Sequence, residues 1–171
     1  HDAAWKTYEY VASQAAASDS EFHLFLLGAG EVLVDDIEVV HLDSGQNVIP
    51  DGSFDGESPL RSWVRSGTHI ETRLEVGGGV DGSNALRIIA SGRGDSRVNR
   101  VERQTSPNLR SRQSYRVRFK ARWLRGSRAL MTRSWNHGIA RVTLLDLPEH
   151  GGTPGKVNSR AVDASGPVIS E

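Results

Sequence analysis

Apolar and polar residues alternate with a period of two along most of this 171-residue chain, the spacing of strands that bury one face. WKTYEYVA (5–12) alternates in this way, and EFHLFLLG (21–28) is apolar enough to lie centrally in a sheet. A Gly-Ala-Gly turn then leads into EVLVDDIEVVHL (31–42). Further runs follow: LRSWVRSG (60–67), THIETRLEV (68–76), NALRIIAS (84–91), VNRVERQT (98–105), SYRVRFKARWL (114–124), RALMTRSW (128–135) and IARVTLL (139–145). Asp-Gly pairs at 51–52 and 81–82, Gly77-Gly78-Gly79 and Ser106-Pro107-Asn108 carry the chemistry of turns between them. ASQAAAS (12–18) favours helix but is too short for more than a turn or loop. About ten strands at short, regular spacing predict an all-β fold, a sandwich or jelly roll.

The sharpest alternation is YRVRFKARW (115–123). Tyr115, Val117, Phe119, Ala121 and Trp123 share one face, and Arg116, Arg118, Lys120 and Arg122 the other. Four cations on one strand face repel one another unless something offsets them. Acids on neighbouring strands, such as Glu9, Glu31, Glu38 or Glu102, are the expected partners. The alternative is a surface for acidic or sulfated glycans. Aromatics do not interleave with these bases on their face, which argues against nucleic acid.

Charge sharpens the picture. Formal net charge is zero, yet residues 1–60 hold one Lys and twelve acids, while residues 61–171 hold twenty bases and nine acids. Halves so complementary fit two parts of one packed domain better than two modules with different partners. There are no cysteines, which excludes disulfides and thiolate metal sites. No apolar run approaches the roughly 18 residues of a membrane-spanning helix. The chain starts at His1 without a Met, as expected of a piece of something longer.

Two stretches resemble a family. GEVLVDDIEVV (30–40) is similar to the last strand of carbohydrate-binding modules of the galactose-binding jelly-roll type. NVIPDGSFDG (47–56), followed by Trp63, resembles the first strand of those modules, and DGSNALRI (81–88) and SYRVRFKARW (114–123) resemble two more. From Gly67 onward, segments such as ASGRGD, NRVE, RSWNHGIARV and GTPGKVNS also look like accessory modules of large secreted bacterial proteins with lamin-tail and spore-coat-kinase-like domains. The order is unusual, because the terminal-strand motif precedes the initial one. Residues 1–43 could end a preceding module, or complete the sandwich begun at Asn47 in circularly permuted order. The complementary charges, and the lack of a second Asp-Asp strand in 46–147, favour a single sandwich over 1–147. The Gly/Pro/Ser-rich stretch over 148–171 is then a linker or tail.

The resemblance implies a secreted or cell-surface, non-catalytic module that binds a polysaccharide or other glycan and adjoins further domains of its own chain. A spacer module without ligand is the alternative. It also implies a structural calcium, which takes six to eight oxygens. The Asp-Asp pair would supply Asp36 or Asp35, and the first-strand motif Asp55, where the family usually has the longer Glu; Asp81 could add another oxygen. The competing reading gives these acids to strand ends and turns.

Sugar binding needs an exposed aromatic face with polar groups beside it. Trp63 and Trp123 sit where core residues are expected, whereas Trp135 lies in the Gly-ended loop RSWNHG. Trp135, Asn136 and His137, joined by His69, are therefore the candidate ligand residues. Nothing in the chain has the form of a nucleophile elbow, phosphate loop or zinc-type His spacing, so no enzyme activity is expected. Residues 92–96 read GRGDS, which contains the Arg-Gly-Asp tripeptide of adhesion proteins. Its two glycines and its position predict a hairpin turn between NALRIIAS and VNRVERQT rather than a receptor signal.

Overall fold

The structure is a computed structural model and describes residues 3–148 except residues 16 and 96. Ten strands form: β1 (Lys6–Ser13), β2 (Asp19–Leu26), β3 (Gly30–His41), β4 (Trp63–Arg65), β5 (Arg73–Glu75), β6 (Ala85–Ala90), β7 (Val101–Leu109), β8 (Ser114–Gly126), β9 (Ala129–Ser134) and β10 (Ala140–Leu144). They make two antiparallel five-stranded sheets, ordered β1-β8-β3-β6-β5 and β10-β9-β2-β7-β4. Two single 3-10 turns, Gly67–His69 and Val80–Gly82, complete the described regular structure. The result is an all-β sandwich, consistent with a jelly roll. The early strands are not set apart from the rest: β2 lies between β9 and β7, and β3 between β8 and β6. Of the tail expected over 148–171, all but Pro148 lies outside the described residues.

The period-two pattern sets the packing. Phe22, Leu24 and Leu26 of β2 face Val32, Val34 and Val39 of β3, with Leu86 and Ile88 of β6 and Val117 and Phe119 of β8 in the same buried cluster. Burying each such side chain stabilises the fold by roughly 1.5–3 kcal/mol. Trp63 belongs to this core, its ring 5.3 Å from that of Phe54, and Trp123 packs partly buried against it.

The stretch 47–56 is not the strand its resemblance implied. Its only ladder pairing with β3 is an isolated bridge, Val40 to Asn47. The side chain of Asn47 does the rest: its Oδ1 accepts from the backbone N–H of Val39 and of Ile49. The segment thereby buries Val48, Ile49 and Phe54 as an irregular layer over β3. A β-bulge opens β3 to receive it. Asp35 and Glu38 face Lys120 and Arg118, so the intervening residues 36 and 37 oppose Phe119 alone. Asp36 takes a left-handed φ of 49°, and the N–H of Ile37 turns away from β8 to donate to the Gly52 carbonyl at 3.0 Å.

Two other expectations differ. β6 and β7 lie in different sheets, so the loop between them is a crossover rather than a hairpin. Alternation along a strand reports which face is buried but not which sheet the strand joins. Ser106-Pro107-Asn108 lies inside β7 rather than in a turn. Leu109 is buried beyond it and pairs with Asp19 of β2 after a register shift, so the strand resumes past the proline.

The cations of β8 are flanked as expected. Glu9 of β1 and Glu38 of β3 stand opposite Arg118 on either side. Lys120 Nζ lies 2.8 Å from Asp36 Oδ2, Arg116 Nε lies 3.9 Å from Glu9, and the Arg122 guanidinium lies 5.5 Å from the ring centre of Trp5. Glu31 instead joins Arg87 of β6 and Arg125 of β8, and Glu102 pairs in the other sheet. The exposed Glu9 and Asp36 pairs stabilise by about 1 kcal/mol or less, so their main effect is to relieve repulsion along β8.

Candidate functional site

Trp135 begins the loop between β9 and β10. The hydroxyl of Ser134 receives the N–H of Ile139 at 3.2 Å, and the N–H of His137 returns to the Ser134 carbonyl at 3.0 Å. His137 closes this turn at a left-handed φ of 62°. The loop is also tied to the start of β2: Asn136 N donates to Asp19 Oδ2 at 2.6 Å, and Asn136 Nδ2 to the Ser18 carbonyl at 3.2 Å. Gly138 passes so close to the chain before β2 that a Cβ there would lie 2.3 Å from Ala15 N. The indole is thus held on a fixed backbone while 43% of Trp135 stays exposed. Arg133, Arg97, Asn136 and His137 line a shallow depression with it.

Beneath the indole lies a polar layer on the outer face of the β2 sheet. His23 is fully buried between Arg133 of β9 and Glu102 of β7. Its Nε2 is 2.9 Å from Glu21 Oε2 and 3.9 Å from Glu102 Oε2, and its ring meets Trp135 edge-on at 5.8 Å. Arg100 binds Glu102 at 2.5 Å and lies 5.6 Å from the Trp135 ring centre. Burial lowers the His23 pKa to about 4, helped by the charge of Arg100, so at neutral pH the ring is uncharged. Glu21, His23 and Glu102 bring one ligand atom each within 4.8 Å, a spacing a metal could use. The potential there opposes a cation, because Arg100 already occupies Glu102 and Arg133 adds a second positive charge. The sequence missed this layer, since only the register of three strands brings its residues together.

His69 does not join Trp135. It is fully buried, its Nε2 accepting the N–H of Leu26 at 2.9 Å and its Nδ1 lying 3.1 Å from Thr68 Oγ1. Lone histidines beside apolar runs often end this way, but only the tertiary contact identifies the acceptor role.

The four carboxylates that the resemblance assigned to calcium do not make a cation cage. Asp35 is buried, its Oδ2 accepting from Val80 N and Ser83 Oγ and its Oδ1 from Asp36 N. Asp55 Oδ1 accepts from Asn84 N at 2.9 Å, and Asp36 is taken by Lys120. Asp81 sits exposed in the 3-10 turn at a left-handed φ of 54°. Donors hold Asp35 and Asp55 Oδ1, Lys120 pairs with Asp36, and among the described residues no three of these carboxylates converge. Asp35 and Asp55 serve instead to pin the 79–84 loop.

The Arg-Gly-Asp loop is likewise structural. Where β7 diverges from β2, Leu26 keeps an N–H and a carbonyl that need partners. His69 takes the first and Gly94 N–H the second, at 2.8 Å. A Cβ at Gly94 would lie 2.6 Å from Phe25 Cβ, so glycine is required there. Asp95 accepts from Arg97 N, Val98 N and Asn99 Nδ2, and these bonds hold its carboxyl down at about 2. Asp95→Ala should cost about 1 kcal/mol, read as a lower urea midpoint at unchanged slope. A variant as stable as the parent would show the carboxylate to be idle in the loop.

The fold and this loop define a β-sandwich with an exposed aromatic at one end of the β2 sheet. A scan against protein-family models found no match, and neither did searches of curated proteins and of solved structures.

Proposed function

We propose that this is a non-catalytic carbohydrate-binding module, an accessory part of a secreted or cell-surface chain, with its glycan on the β9–β10 loop. The exposed, pre-ordered Trp135 carries this reading. Its free indole face offers the surface against which pyranose C–H groups stack, and Asn136, His137 and Arg97 stand beside it to orient hydroxyls. Ordering the loop before binding removes an entropic cost that a mobile loop would incur. The carboxylates of this layer, Glu21 and Glu102, are bonded to His23 and Arg100, which suits positioning better than acid–base work.

A glycan array probed with the parent and with Trp135→Ala tests the proposal. The expected result is a set of hits whose affinity falls by tenfold or more, about 1.4 kcal/mol, in the variant. Hits that survive Trp135→Ala would move the site elsewhere. A parent protein that binds no glycan at all would favour the spacer alternative.

A further inference from the structure

We infer that the sugar taken by this loop is anionic, a pyranose bearing a carboxylate or sulfate group, with its ring on Trp135 and its charge on Arg133 and Arg97. The inference rests on the glycan-binding reading above and narrows it to a ligand class.

Arg133 carries the argument. The residue is only 8% exposed, and among the described residues no carboxylate forms an ion pair with it. Its Nη2 donates to the Trp135 carbonyl at 3.0 Å, while its Nε is buried without a partner. A guanidinium held out of water with no counter-anion is costly. The nearby charge of Arg100 makes it costlier, and both burial and Arg100 pull the Arg133 pKa down. Asp19 offsets part of this charge, but its Oδ2 already receives the Asn136 N–H.

The depression itself is one-sided. Arg97 and Arg133 line it together with Asn136, His137 and the indole, and among the described residues no acid does. Glu102, the acid close by, is neutralised by Arg100. A bound anion would supply the missing counter-charge at Arg133 and draw on the exposed Arg97 at the rim. Guanidinium groups match planar or tetrahedral oxyanions through paired N–H bonds, which a neutral hydroxyl cannot replace.

Calorimetric titration with an oligogalacturonate, its fully methyl-esterified form, a sulfated galacto-oligosaccharide and a neutral galacto-oligosaccharide tests this. Esterification keeps the shape and removes the charge, so affinity should fall about tenfold or more. The charged ligand, unlike the neutral one, should also weaken severalfold between about 0.05 M and about 0.5 M NaCl. Arg97→Gln, at an exposed position where folding is not at risk, should weaken the charged ligand severalfold and the esterified one, which loses only hydroxyl contacts, by clearly less. Preference for the uronate or for the sulfate ester decides which oxyanion is read, and either supports the inference. Equal affinity for charged and esterified ligands would overturn it while leaving glycan binding in place. Charged ligands that bind equally well to Trp135→Ala would overturn both, since attraction would then owe nothing to the loop.

Discussion

Acidification from about pH 7 to about pH 4 should remove about 3 kcal/mol of stability for each of two buried histidines, His23 and His69. Both side chains are fully buried, and burial lowers both pKa values to about 4 in the folded protein. In the unfolded chain they return to about 6.5. The unfolded state therefore takes up protons first as pH falls. The stabilisation is complete above about pH 6.5 and is lost as pH drops toward 4. For His69 the cause is visible in the geometry, because its Nε2 accepts the Leu26 N–H and a proton there would set two donors against each other. For His23, desolvation and the Arg100 charge outweigh the pull of Glu102. Urea midpoints measured every half unit of pH would trace the decline. In His69→Gln, whose amide oxygen can still accept, the decline should be about half as deep. If neither His69→Gln nor His23→Gln altered the slope of stability against pH, other groups would have to carry the acid limb.

Gly52→Ala should destabilise by roughly 3 kcal/mol or more, in the range of severe core changes. A Cβ on residue 52 would lie 1.9 Å from the Ile37 carbonyl oxygen, a backbone atom inside the β3 bulge. Neither side yields easily, because Ile37 N–H is bonded to the Gly52 carbonyl and Ile37 itself is in the core. Relief would come from lifting the 47–56 segment, which would unseat Ile49 and Phe54. Gly56→Ala, four residues on, meets nothing within 4 Å and should change stability by no more than about 0.5 kcal/mol. Thermal melts of the pair side by side would separate a steric effect from a general cost of removing glycine. A Gly52→Ala protein with the parent's melting temperature would refute the close contact.

The sequence made the fold class readable, because a period of two runs through β8 and much of β7 while β2 and β3 are short apolar runs bounded by turn residues. The family resemblance placed Trp63 in the core, the Gly-ended loop placed Trp135 outside it, and the cations on one face of β8 called for acidic neighbours. What the sequence missed came from interactions that alternation does not encode. Residues 47–56 carry apolar side chains like a strand, yet their backbone is satisfied by Asn47 and by the bulge in β3. The β6–β7 crossover looked like a hairpin because turn residues are the same for both. His69 and the Arg-Gly-Asp loop act on Leu26, more than 40 residues away from the first and more than 60 from the second, and no local pattern announces such a contact. The Trp135 loop was legible as a loop with polar neighbours. The buried Arg133 behind it was not, since in sequence it is one strand arginine among many.

The placing of β2 and β3 at the centres of the two sheets has a kinetic consequence. β2 and β3, the most apolar segments of the N-terminal part, reach their partners only when β6 to β9 have arrived, and β9 ends at Ser134. Nearly every ladder that secures them closes a long loop, which slows folding. During synthesis these strands emerge first and wait longest, with open edges able to pair with other chains. Refolding of this module should therefore be limited by long-range pairing, and its yield should fall as protein concentration rises.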